Sequence, residues 1–356
     1  MVENLQKDGP VFVVDGGDLF SETSLPQPDA LERSRQVAHL LAQGTALPGI
    51  DAMVPGRADV ALGWDFVVEV AGTYKLPYVA SNLKCTGENP FPTFRKVEHG
   101  GITLGFVGAL SAQSVVPDCE VTDPVESATA AIATMGPVDN VVALGAFENE
   151  VAKALIAANP GVGFVVSSSP VTLTEPRSIG DGHFLLGNGP KGKKVGVLKA
   201  TLVTGAQGWR AANPGTELNE RLDRYKKRLD DANKRAEKAG DNEKAKTQAD
   251  RQVGFYQSEI EKVEKEIAEA NAPSSVPTHL FENTLTDLSS SVADHPATLA
   301  LVDKAKQTLP PEPVPQRPGI LKMERGANDA PMPMRGMVQK PVQLPASGGG
   351  EAESKE

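Results

Sequence analysis

Short apolar runs bounded by turn residues recur through the first 210 residues, each at the length of a strand. They fall at 11–14, 52–54, 78–81, 94–98, 102–107, 141–144, 163–166, 183–186 and 195–202. Between them, residues 29–43 place Leu31, Val37, Leu40 and Leu41 on one side of a helix, and residues 148–158 keep the same helical period. Gly100-Gly101, set between two of the strand runs, predicts a tight hairpin. Strand–helix alternation interrupted by a hairpin predicts a mixed-sheet α/β or α+β domain over residues 1–212.

The pattern changes at Asn213-Pro214-Gly215. From 217 to 270, apolar residues are spaced alternately four and three apart: Leu218, Leu222, Tyr225, Leu229, Ala232 and Ala236, then Ala249, Val253, Tyr256, Ile260, Val263 and Ile267. That is the a/d spacing of a coiled coil. Gly240-Asp241-Asn242 sits midway as a stop and restart, so residues 213–272 read as an antiparallel helical hairpin with arms of about 35 Å at 1.5 Å per residue. A single long helix that dimerises fits the same spacing, but Gly240 in mid-seam counts against it. Residues 273–309 read as a short return segment whose helix carries Leu299, Val302 and Ala305 on one face. Residues 310–356 are proline-rich and are expected to be disordered.

Composition narrows the partners. Aromatics are only 5% of the chain, so the core must be aliphatic. A net charge of −10 supplies no basic face for a phosphate backbone, which argues against nucleic acid. No apolar run approaches the roughly 20 residues of a membrane span, and residues 1–9 lack the apolar centre of a signal peptide. Cys85 and Cys119 each follow a predicted strand. Brought to one sheet edge in an oxidising compartment they would form a disulfide; as two buried thiols they would serve equally well.

The candidate chemistry centres on Val11-Phe12-Val13-Val14-Asp15-Gly16-Gly17-Asp18, a buried strand that ends in a glycine-cushioned carboxylate. Such an edge is where metals and phosphates bind in α/β folds. The five histidines, His39, His99, His183, His279 and His295, are scattered and read as surface or cap residues. Ser167-Ser168-Ser169 has no acid–base pair placed to activate it and reads as a solvent-facing loop. Gly187-Asn188-Gly189-Pro190-Lys191-Gly192-Lys193 lacks phosphate-loop spacing and reads as a turn. Met332, Met334 and Met337 could offer thioethers to Cu(I), but the linker reading is preferred.

The order of these elements resembles the metallophosphoesterase domain of the 5′-nucleotidase/UDP-sugar hydrolase family, with a weaker echo over residues 281–309. Tyr78-Val79-Ala80-Ser81-Asn82-Leu83, Ile102-Thr103-Leu104-Gly105-Phe106-Val107-Gly108 and Asn159-Pro160-Gly161 fall where that family would put them. The resemblance implies a four-layer sandwich, helices outside and two mixed sheets inside. It also implies two metal ions held by D-x-H, G-D, G-N-H-[DE], a lone His and G-H-x-H, activating water on a phosphate ester. Gly17-Asp18 matches the G-D motif, with Asp18 as the bridging ligand. Gly56-Arg57-Ala58-Asp59 matches G-N-H-[DE], with Arg57 for the ligand Asn and Ala58 for the leaving-group His. Ala146 takes the place of the lone His, and Ser169 and Val171 those of the last two. The D-x-H strand has no counterpart and is expected upstream of Met1, with any export signal or lipid anchor.

A hydrolase fold without its histidines is expected to be non-catalytic, with no cofactor. The family's habits imply a bacterial periplasm or cell envelope, and an unidentified protein partner would meet the hairpin or tail. One alternative is a residual phosphoesterase using Mn, Zn, Co or Mg on nucleotides or related esters; another is a coiled-coil assembly protein. Arg57 is expected to replace the metal by an ion pair to Asp18, relieving repulsion among Asp15, Asp18 and Asp59.

Overall fold

In the computed structural model, the residues described are 1–21, 30–145, 147–168, 175–189, 192–240, 242–270, 276–290 and 292–310. They fall within one unit, Met1–Pro313; a second, Val314–Glu356, lies outside the described residues and takes Met332, Met334, Met337 and most of the proline-rich segment with it.

The chain opens with a single turn, α1 (Val2–Leu5), then β1 (Val14–Asp15), α2 (Leu31–Ala46), β2 (Ala52–Met53), α3 (Arg57–Val60) and α4 (Trp64–Tyr74). β1 and β2 pair in parallel, Val14 opposite Ala52 and Asp15 opposite Met53. The run at 78–81 does not form a ladder. Its amides donate to three different segments: Val79 N to Met53 O, Ala80 N to Pro92 O and Ser81 N to Gly108 O. Only Tyr78 makes a bridge, to Met53.

Next come β3 (Leu83–Cys85), β4 (Phe94–His99), β5 (Ile102–Ala109), β6 (Cys119–Val121), α5 (Pro124–Met135), β7 (Asn140–Gly145), α6 (Asn149–Ala158), β8 (Val162–Ser167), β9 (Arg177–Gly180) and β10 (His183–Leu186). β4 and β5 are joined by the Gly100-Gly101 turn, His99 opposite Ile102. α5 has strong end signals: the Asp123 carboxylate accepts from Val125 N and Glu126 N at 2.9 Å, Pro124 occupies the first turn, and Gly136 ends it.

A six-stranded sheet in the order β4-β5-β7-β8-β10-β9 forms the centre, parallel from β5 to β10 with antiparallel edges. Both faces are buried. Val141 and Ala143 of β7 pack with Ala128, Ala131, Ala152 and Leu155 of α5 and α6. Val142 and Leu144 turn the other way, into a larger core shared with α2, α4, β1 and β2. Strands apolar on both faces are what a covered parallel sheet requires.

β11 (Lys194–Thr201), β12 (Trp209–Ala211), α7 (Pro214–Lys238), α8 (Glu243–Ala270), β13 (His279–Asp287) and α9 (Pro296–Thr308) complete the chain. β13 returns to lie between β11 and β12 in a three-stranded mixed sheet. This sheet packs on the six-stranded one through aromatics: Phe164 lies 4.7 Å from Trp209 and 5.4 Å from Phe281, ring to ring. The architecture is a mixed α/β domain with mixed sheets.

α7 and α8 lie side by side and antiparallel. Arg221 pairs with Glu266, Lys226 with Glu264 at 3.4 Å, and Tyr225 Oη donates to Glu259 at 3.4 Å. Leu222, Ala232, Ala249 and Val263 are buried between them. Arg224 reaches back to Glu175, just before β9, at 2.8 Å. No helix among the described residues is long and apolar enough to cross a membrane.

Candidate functional site

The carboxyl ends of β1, β2, β7 and β8 meet at one edge. Gly17 has φ +97°, and a Cβ there would lie 2.8 Å from Val54 O, so the loop after β1 presses on the loop after β2. A side chain at Gly56 would run into Asp18, and one at Gly16 would lie 3.3 Å from Ser168 N beyond β8. Ser168 N in turn donates to Gly145 O at the end of β7, at 3.1 Å.

The three carboxylates at this edge are bound to the backbone. Asp18 adopts a left-handed φ of 59° and its Oδ1 accepts from Ala58 N at 2.7 Å, in the first turn of α3. Asp59 is fully buried: its Oδ2 accepts from Gly56 N at 2.8 Å and Asp18 N at 3.0 Å, and its Oδ1 from Phe20 N at 2.7 Å. Asp15 Oδ1 accepts from Gly17 N at 2.8 Å. Burial is the main influence on Asp59 and pushes its pKa up to about 7, against the pull of the Phe20 and Gly56 donors. Asp15 is raised to about 6, again chiefly by burial. Beside them Tyr78 is 1% exposed, and its hydroxyl has no hydrogen-bond partner among the described residues. Burial first, then Asp59 and Asp15, raise that phenol well above its ordinary value.

Arg57 does not pair with these carboxylates. It is exposed, and its Nη1 donates to Gln113 Oε1 at 2.8 Å. The expected ion pair to Asp18 is therefore corrected: Asp18 and Asp59 are turned toward backbone donors, and α3 starts with the Arg57 side chain facing out. Ala58 is buried and contributes only its N–H. Ala146, Ser169 and Val171 lie outside the described residues. The serine run is not simply a solvent-facing loop: Ser167 ends β8 and its Oγ donates to Phe147 O at 2.9 Å, while Ser168 Oγ is buried.

The histidines serve the scaffold. His99 Nε2 meets Asp51 Oδ1 at 2.8 Å, His183 Nδ1 meets Val162 O at 2.7 Å, and His279 Nδ1 accepts from Val203 N at 3.0 Å. His39 packs edge-on against Phe66 and Tyr74, and His295 precedes α9 as its N-cap residue.

The described residues at this edge do not supply the donor set of a two-metal centre. Among the described residues no three His, Cys, Asp or Glu side chains come together so as to hold a metal ion. Asp59 has spent both oxygens on amides, and one oxygen of Asp18 is likewise engaged.

No protein-family model matches the chain, and no curated protein sequence matches it. Solved structures do. The calcineurin-like phosphoesterase YfkN from Bacillus subtilis aligns over 86% of this chain and 86% of its own, at 15% identity and TM-score 0.50. The fold is metallophosphoesterase-like. SoxB, a sulfate thiohydrolase from Thermus thermophilus, aligns over 57% of this chain at 21% identity and TM-score 0.48. A 5′-nucleotidase precursor from the same species aligns over 57% at 20% identity and TM-score 0.45. The matches span 39% and 44% of those two longer chains. At such identities the likeness is one of fold. In this metallophosphoesterase-like fold, Asp18 lies in the loop that follows β1, and sequence reasoning missed what Asp59, Tyr78 and Gln113 do. The signal for Asp59 was present: an acidic residue three positions after Gly56 is a capping pattern.

Proposed function

We propose that this chain is a non-catalytic relative of the 5′-nucleotidases that works in a bacterial cell envelope as a binding or scaffolding protein. The observation that carries the reading is the state of the strand edge. The two carboxylates best placed to hold a metal, Asp18 and Asp59, accept backbone N–H groups. Ala58 stands where a proton donor would be needed, and Arg57 is turned to Gln113. A two-metal phosphoesterase needs its cations to clamp the ester and supply the attacking oxygen, and among the described residues no such set of ligands converges. The paired helices α7 and α8 carry mostly charged outer faces, a surface suited to a protein partner, and the envelope location follows the habits of proteins with this fold.

The test is hydrolysis of a nucleoside 5′-monophosphate and of an aryl phosphate with manganese, cobalt or zinc present. The expected rate equals that of Asp18→Ala. Turnover that Asp18→Ala abolishes would make the chain a working divalent-metal phosphoesterase instead.

A further inference from the structure

The segment after β5 leaves the sheet at Leu110 and returns at Thr122. Its outer end is held by the β3–β6 pairing, with Thr86 N donating to Asp118 O at 2.9 Å, and two side-chain devices add to that. At its base, fully buried Asn82 accepts from Leu110 N at 2.9 Å and donates from Nδ2 to Leu110 O at 3.0 Å and Thr122 O at 3.2 Å. Further out, Cys85 and Cys119 sit opposite each other across β3 and β6 and are joined by a disulfide. Between these ties residues 111–118 form a loop. Its Val116 is buried, its Val115 is 85% exposed, and its Gln113 holds Arg57 at the strand edge.

The disulfide is reachable. An open groove of about 500 Å³ runs along it, and both cysteines are half-buried. Asp65, Glu69, Glu88 and Asp118 line that groove.

We propose that Cys85–Cys119 is a redox latch on the 111–118 loop, and that opening it releases Arg57 from Gln113 at the metallophosphoesterase-like edge. The reductant is a dithiol. One of its sulfurs bonds to Cys85 or Cys119 as the Cys85–Cys119 bond breaks, and its second thiol then displaces that cysteine. The dithiol loses two electrons and becomes a disulfide, and both cysteines leave as thiols carrying its two protons. Asn82 does not depend on the disulfide, so the base stays closed while the outer loop is freed. The carboxylates in the groove select against anionic thiols and favour neutral dithiols.

The experiment is hydrogen exchange by mass spectrometry on the full chain, oxidised, reduced with dithiothreitol, and reoxidised. A second readout is modification of Arg57 by phenylglyoxal. Reduction is expected to speed exchange at residues 111–119 on the order of tenfold, as for a locally opened segment, with Leu110 and Thr122 still protected. Arg57 should be modified faster after reduction, and Gln113→Ala should reach that rate without reduction. Reoxidation should reverse both changes. Unchanged exchange in the loop overturns the proposal, as does an increase spread evenly over the unit, which would make the disulfide a general staple. Loop opening without a change at Arg57 overturns the coupling. Cys85→Ser with Cys119→Ser gives the same comparison without reductant, and reversible reduction decides if that variant does not fold.

Discussion

Asp59, fully buried, joins two chain segments, accepting from Gly56 in its own turn and from Asp18 and Phe20 in the loop after β1. Asp59→Ala leaves those amides without acceptors, and each unsatisfied buried group costs about 1–3 kcal/mol. The expected loss in urea denaturation is about 3 kcal/mol or more. Arg57→Ala is the opposite case: an exposed guanidinium on an exposed amide should change stability by less than about 0.5 kcal/mol. Titration supplies a further check. Asp59 and Asp15 have folded pKa values raised to about 7 and about 6, above the 3.8 of an ordinary aspartate. The folded state therefore holds their protons more tightly than the unfolded one. Their contribution is most favourable below about pH 4 and declines as pH rises to about 7. Denaturation midpoints measured across that window should fall, and less steeply in Asp15→Asn. Of these residues, Asp18 was legible because Gly-Gly-Asp after a strand fixes where the carboxylate goes. The roles of Asp59 and Arg57 were not, because they depend on amides and a glutamine brought in from segments about 40 and 56 residues away.

Elements whose partners lie close in sequence were readable from pattern alone: the β4–β5 hairpin, the apolar strands β7 and β8, and the helices α2 and α6. β13 was not, since its neighbours β11 and β12 are some 70–90 residues away and its own residues are mixed in polarity. The run at 78–81 looked like a strand but divides its backbone bonds among three segments. α4 was not anticipated; its apolar residues Phe66, Val67, Val70 and Ala71 lie on one helical face and are buried. The paired helices α7 and α8 offer a test at this scale. Leu222→Asp with Val263→Asp puts two charges into their shared seam. Helical ellipticity should drop while the near-ultraviolet signal from Trp64 and Trp209, both in the body's core, persists. Loss of both signals together would show that the helices hold up the body.

On the scale of the whole molecule, the fold is metallophosphoesterase-like, and the proposed reading is that it no longer carries two-metal chemistry. The sandwich needs apolar strands and glycines where loops touch, and this chain keeps them. Two-metal chemistry needs clustered ligands, whereas the described carboxylates at this strand edge accept backbone N–H groups. The fold was legible from flanking residues, while the site reading rests on substitutions that the family resemblance implies. The most direct measurement is calorimetric titration of the oxidised, full-length chain with manganese, cobalt and zinc, beside Asp18→Ala. The account predicts no saturable binding tighter than about 1 mM for either protein. Stoichiometric binding at micromolar affinity that Asp18→Ala removes would contradict it.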